Sequence, residues 1–248
     1  ERKTGATKEQ FLDGTILIIY GLFKKVMIGD AAGRLVDHIF AHIEYYSSWE
    51  VIFAWWLFSV QIYADFSGYT NIARGTAKLF GFELTKNFEQ PYLSRSIAEF
   101  WKKWHISMTT WFRDYVFLPI SFAVSGKIKT EKVGFLKTDI FIYFVASIIT
   151  WFLTGLWHGA NYTFIIWGMI HGFFLFIYQW QKNPRKKLFK KLGLKNDNLA
   201  VVLIETLLTL VIVNMAWLVF RVKSIDDISE ILVKCRNWTW GNYPCRFL

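Results

Sequence analysis

Five apolar runs decide what this chain can become: residues 11–28, 49–66, 139–157, 161–180 and 199–220. About twenty apolar residues at a rise of 1.5 Å each cross the hydrocarbon core of a bilayer. The last three runs qualify cleanly. Gln61 and Asp65 flaw the second, and Lys24 and Lys25 interrupt the first, which is expected to tilt, snorkel or insert only partly. In lipid every backbone polar group must be satisfied internally, so runs of this kind predict an all-α, polytopic membrane protein. Composition agrees: 54% of the 248 residues are hydrophobic, and 13 Trp, 11 Tyr and 24 Phe stand against only 4 Pro, as expected of helices anchored at the headgroup level by amphipathic rings.

The formal charge of +10 would suggest nucleic acid in a soluble protein, yet the cations cluster between the apolar runs. Arg2, Lys3 and Lys8 precede the first run, Lys127, Lys129, Lys132 and Lys137 the third, and Arg185, Lys186, Lys187, Lys190, Lys191 and Lys195 form a basic loop before the fifth. The positive-inside rule assigns these stretches to the cytoplasm, with no nucleic acid partner. If every run spans, residues 30–48, the turn around His158 and the tail carrying Cys235 and Cys245 face outward. The two cysteines can pair in an oxidising compartment but build no disulfide framework. Cys245 stands four from the end like a prenylation signal, but Arg246 occupies a position that should be aliphatic, and the match reads as coincidence. The chain begins at Glu1 without a signal peptide, as the C-terminal part of a longer chain would. No internal repeat is evident.

Residues 67–137 are too polar to span and too aromatic for a simple loop. Ile97, Phe100, Trp101, Trp104, Met108, Trp111, Phe112 and Tyr115 follow helical spacing, with Arg95, Glu99, Lys102, Lys103 and Asp114 largely opposite. The pattern predicts a basic amphipathic helix at about 95–118, lying on the membrane surface. His105 sits on its aromatic stripe, which that reading leaves unexplained.

His158 lies in a small-residue break between two apolar helices, where an ionisable side chain at membrane depth is costly unless it faces a cavity or a partner. It reads either as a capping or hydrogen-bonded core histidine, or as a general base: an imidazole titrates near neutrality and can take a proton from a hydroxyl and return it to a leaving group. His171, thirteen residues on, reads as buried and satisfied, with a supporting role as the alternative. Asp65 closes an apolar run where a lone carboxylate is expensive, so an Arg or His partner is expected. His38 and His42 have a spacing that can bind metal, but with no third ligand nearby they read as surface or interface histidines and no metal is expected. There is no Gly-x-Ser-x-Gly elbow, phosphate-cradling glycine loop or His-Glu-x-x-His helix. The sequons at Asn161 and Asn237 carry little weight without the compartment.

Several blocks together resemble the membrane-bound O-acyltransferase (MBOAT) family: Tyr63-Ala64-Asp65-Phe66-Ser67-Gly68-Tyr69, residues 88–92, residues 96–107, Trp111-Phe112-Arg113-Asp114-Tyr115, and Gly155-Leu156-Trp157-His158-Gly159-Ala160 followed by Trp167-Gly168 and His171-Gly172. The nearest branch is the bacterial one of alginate O-acetyltransferase, peptidoglycan O-acetyltransferase and the teichoic acid D-alanyl transfer protein. The resemblance implies a single membrane domain over residues 1–248, a helical bundle around a central tunnel, in the bacterial inner membrane. Family members are usually longer, with more membrane segments ahead of this region. His158 matches the family's catalytic histidine and His105 a second histidine of this branch, with Asp65, Trp157, Asn161, Arg113 and His171 in supporting positions.

The implied reaction is acyl transfer from a cytoplasmic thioester, acetyl-CoA or another, to a hydroxyl of an exported polysaccharide, directly or through an extracytoplasmic acetyltransferase partner. The basic loop at 185–195 can hold an anionic donor, though topology alone accounts for it. No residue announces itself as a covalent nucleophile. Two rival readings stay open from the residues alone: a transporter or channel whose polar path is lined by Asp65, His105 and His158, and a non-catalytic scaffold of the cell envelope.

Overall fold

Thr7 opens the first helix, its side chain accepting from the Gln10 amide at 3.1 Å while the Gln10 side chain accepts from the Thr7 amide at 3.1 Å, a reciprocal capping box. A computed structural model of the chain describes residues 5–238 and 240. Its helices are α1 (Lys8–Leu22), α2 (Asp30–Ala41), α3 (Ser48–Leu79), α4 (Ile97–Lys103), α5 (Ile106–Phe112), α6 (Leu118–Lys127), α7 (Thr138–His158), α8 (Tyr162–Lys191), α9 (Leu199–Arg221) and α10 (Ile225–Asn237). A π-helical turn, Phe23–Gly29, joins α1 to α2, and another, Arg113–Phe117, joins α5 to α6. The strands among the described residues form one short antiparallel pair, β1 (Lys132–Val133) and β2 (Leu136–Lys137), ahead of α7. Backbone contacts divide the chain into two compact units, one from Glu1–Asn87 and Ile225–Leu248, the other Phe88–Ser224.

In the first unit α1 runs antiparallel to α3 across paired glycines. A Cβ on Gly14 would meet the Gly75 carbonyl at 2.8 Å and one on Gly75 the Gly14 carbonyl at 2.5 Å; Gly21 and Gly68 face each other in the same way at 2.6 and 2.8 Å. Each helix carries its glycines seven residues apart, two helical turns, so both meet the same neighbour. Farther along, Lys25 of the π turn lies 2.5 Å from Asp30 and 2.9 Å from Asp65. The expected partner of Asp65, an Arg or His, is therefore a lysine. Ser48 of α3 donates to the Lys234 carbonyl at 2.7 Å, tying α10 to the same unit.

Three helices among the described residues are long and apolar enough to cross a membrane: α7, α8 and α9. They are the three runs that qualified cleanly in the sequence. Run 11–28 becomes α1 plus the π turn, which places Lys24 and Lys25 within a continuous helical path. Run 49–66 is the first part of the 32-residue α3, which continues through Asp65 into the interval 67–79 that composition had marked as too polar. The basic loop is mostly helical too, because α8 runs on through Pro184 to Lys191.

The amphipathic helix expected at about 95–118 is broken. Its pattern is carried by α4, α5 and the π turn, and α6 begins where it was expected to end, with the break at Trp104 and His105. Trp104 is extended and bridges Phe88, and His105 takes the left-handed conformation, φ 44° and ψ 54°. Most of the stripe is covered by protein instead. Ile97, Phe100, Trp101, Trp104, Met108 and Phe112 are buried in the protein, with α4 packed on α8 and α9, while Trp111 and Tyr115 remain exposed. Cys245 lies outside the described residues.

Candidate active site

The second unit positions its histidines through two local devices. The first is the α4–α5 reversal. Ser96 caps α4 by accepting from the Glu99 amide at 3.2 Å, and the Glu89 amide donates to the Lys103 carbonyl at 3.0 Å, which clasps the strap before α4 against its far end. The Phe88 ring meets Trp104 edge-on at 4.9 Å, and the Thr109 amide donates to the His105 carbonyl at 3.0 Å to start α5. His105 is thereby turned out of both helices.

The second device is the α7–α8 hairpin. α7 ends on His158, and Gly159 takes φ 149°, a conformation that L side chains rarely adopt. Asn161 then caps α8, accepting from the Thr163 amide at 3.1 Å while its side-chain amide donates to the Lys223 carbonyl at 2.8 Å. The helices pack closely because Gly155 and Gly168 leave room for backbone: a Cβ on Gly155 would meet the Phe164 carbonyl at 2.5 Å, and one on Gly168 would strike the Trp151 carbonyl.

These devices bring two distant histidines to one tryptophan. The Trp157 ring lies 6.1 Å from His105 and 4.8 Å from His158, centroid to centroid. His158 is further enclosed by Trp167 at 4.9 Å, Phe220 at 5.1 Å and Phe164 at 6.2 Å. Burial holds the His105 imidazole down to about 4, and repulsion by His158 adds to the effect, so His105 is neutral at ordinary pH. In the same unit, a cavity of about 420 Å³ lies among α4, α5, the second π turn, α7 and Leu175 of α8. Trp101, Ile106, Met108, Phe112 and Trp151 give it apolar walls, and Lys102 and Arg113 supply its cations. Arg113 is itself paired with Asp114 at 2.7 Å.

His171 is fully buried one level below, its Nδ1 accepting from the Trp101 indole at 3.2 Å. Of the residues singled out in the sequence, His105, Trp157, His158, Asn161, Arg113 and His171 belong to this unit. Asp65 belongs to the other, held by Lys25. Sequence reasoning gave no role to Trp101, Trp167, Trp217 or Phe220. The available signal was the spacing of Trp167 and His171, four apart and hence on one face of α8. His38 and His42 stack edge-on at 5.3 Å. Among the described residues no three His, Cys, Asp or Glu side chains gather as a metal set.

The sequence profile of the membrane-bound O-acyltransferase family matches residues 2–218. Over 219 residues, 88% of this chain, the sequence is 35% identical to a probable alginate O-acetylase, AlgI, of Pseudomonas syringae pv. tomato, covering 38% of that relative. It is 30% identical to a peptidoglycan O-acetyltransferase of Helicobacter pylori (88% of this chain, 38% of that one) and 29% identical to a teichoic acid D-alanyltransferase of Bacillus subtilis (73% and 45%). The chain thus spans less than half the length of these relatives. With a profile match across most of its residues and both histidine segments within it, the chain belongs to the membrane-bound O-acyltransferase family.

Proposed function

We propose that the protein transfers an acyl group, acetyl above all, from a cytoplasmic thioester such as acetyl-CoA to a hydroxyl of an exported cell-envelope or extracellular polysaccharide. The transfer is direct or passes through an extracytoplasmic acetyltransferase partner, and the setting is the bacterial cytoplasmic membrane. The observation that carries the reading is the meeting of His105 and His158 about Trp157, in an aromatic enclosure. The relatives support it by their names, which concern O-acetylation of alginate and peptidoglycan and D-alanylation of teichoic acid.

In this reading His158 is the general base. Its imidazole takes the proton of the acceptor hydroxyl as that oxygen attacks the thioester carbonyl carbon. The tetrahedral intermediate collapses with loss of the thiolate, which receives the proton back. The surrounding rings exclude water, which strengthens each electrostatic contact and protects the thioester from hydrolysis. His105, kept neutral by burial, positions the reacting groups. Arg113 and Lys102 offer charge to an anionic donor at the cavity. Asn161 and Trp157 hold the hairpin that presents His158, and both units belong to one membrane domain.

The test uses the full-length protein in membranes with radiolabelled acetyl-CoA, comparing wild type with His158→Ala. Label is expected in polysaccharide only when His158 is present, with a loss of at least about 100-fold in the variant. Equal labelling with and without His158 would overturn the mechanism. Substrate flux without thioester cleavage would make the protein a transporter.

A further inference from the structure

The hydrogen bond between Trp101 and His171 fixes more than a contact. An indole nitrogen can only donate, so Nδ1 of His171 is the acceptor and carries no proton. The ring is then neutral with its proton on Nε2. That atom is completely buried, and among the described residues no protein group accepts from it. Two more donors are in the same condition: the indole nitrogens of Trp167 and Trp217, in side chains 1% and 2% exposed. The rings are neighbours, His171 lying 5.0 Å from Trp167 and 6.5 Å from Trp217, and Trp167 stacking on Trp217 at 6.1 Å.

Buried polar groups in native proteins nearly always find a partner, and three orphans in one cluster point to a shared one. Its chemistry is constrained. Three N–H groups repel a cation, and a protonated Nε2 cannot ligate a metal. What fits is an atom with lone pairs to spare, an oxygen. Trp167 also touches His158 edge-on at 4.9 Å, so such an oxygen would sit behind the reacting centre.

We propose that Trp167, His171 and Trp217 form a buried oxygen-binding pocket beside His158, occupied by the carbonyl oxygen of the acyl group during transfer or by a resident water. The first occupant rests on the acyl-transfer reading above; the pocket itself does not. In the acyl case the acceptor hydroxyl oxygen bonds to the carbonyl carbon and loses its proton to His158. The carbonyl π pair moves onto the oxygen, where the three N–H groups meet the negative charge. The pair returns as the C–S bond breaks, and the thiolate takes the proton from His158.

The experiment measures thioester cleavage by the full-length protein carrying Trp167→Phe or Trp217→Phe, each of which deletes an N–H and keeps an aromatic ring. Trp180→Phe, on an exposed tryptophan of α8, is the control. A high-resolution map of the wild type without donor is recorded alongside. If the acyl oxygen is the occupant, kcat falls at least about tenfold in either variant with KM within about twofold. If water is the occupant, the map of the donor-free wild type shows an ordered oxygen within hydrogen-bonding distance of the three nitrogens. Both outcomes support the pocket. It is overturned if the wild-type map shows no such oxygen and the variants match Trp180→Phe, and the map decides alone if a variant fails to fold. A wild type that cleaves no thioester defeats the acyl-transfer reading and leaves the pocket to be judged by the map.

Discussion

At His105 a left-handed backbone and a half-buried imidazole coincide. A residue with a Cβ adopts this conformation at a cost, and asparagine bears it best after glycine. Because burial depresses the folded-state value to about 4, against about 6.5 in an unfolded chain, the unfolded state binds a proton first as the pH falls. The stability that His105 contributes by staying neutral is whole above about pH 6.5 and is lost between there and about 4. His105→Asn keeps the turn and removes the titration, so its thermal unfolding in detergent should lose less stability across that window than the wild type loses. The sequence made His105 stand out as a histidine on an aromatic stripe. It could not show the chain reversing there, because the reversal depends on Trp104 pairing with Phe88, a bridge that no periodicity announces.

Helices pack here by bringing backbones together. On α1 and α3 the paired glycines leave no space for a methyl group, so Gly75→Ala should destabilise the first unit by about 1–3 kcal/mol. Gly126→Ala on α6, where nothing lies within 4 Å, should be neutral or stabilising by up to about 1 kcal/mol. Chemical unfolding of the two variants checks the contrast. Apolar length made α7, α8 and α9 legible, and only the stretch between the runs was read by period 3.6. That period misled over 95–118, where two short helices and a π turn happen to keep the apolar residues in step, and where the face expected to meet lipid meets α8 and α9 instead. Patterns record which residues avoid water, not what covers them.

Over the molecule as a whole, charge and apolar length set orientation. The second unit has its basic stretches ahead of α7 and at the end of α8, and the hairpin with His158 at the opposite ends of both helices. Cysteines introduced at Lys132 and Leu194 should therefore react with an impermeant thiol reagent only from the cytoplasmic side, and one at Ala160 only from outside; the reverse pattern would invert the topology. Near the basic end, Glu205 of α9 accepts from both Arg95, at 2.8 Å, and Arg185, so a carboxylate in a candidate span is neutralised by the same charges that orient the chain. The first unit was harder to read, since Lys25 and Asp65 interrupt their runs separately and neutralise each other across 40 residues. The π turn that carries Lys25 fits one more residue into a helix without a loop. Deleting one residue from it would restore an ordinary helix, yet would rotate everything on one side by about 100° relative to the other. Lys25 would keep its helix and lose Asp65, or Gly21 would lose Gly68, so the extra residue lets the glycine seam and the ion pair share one helical path.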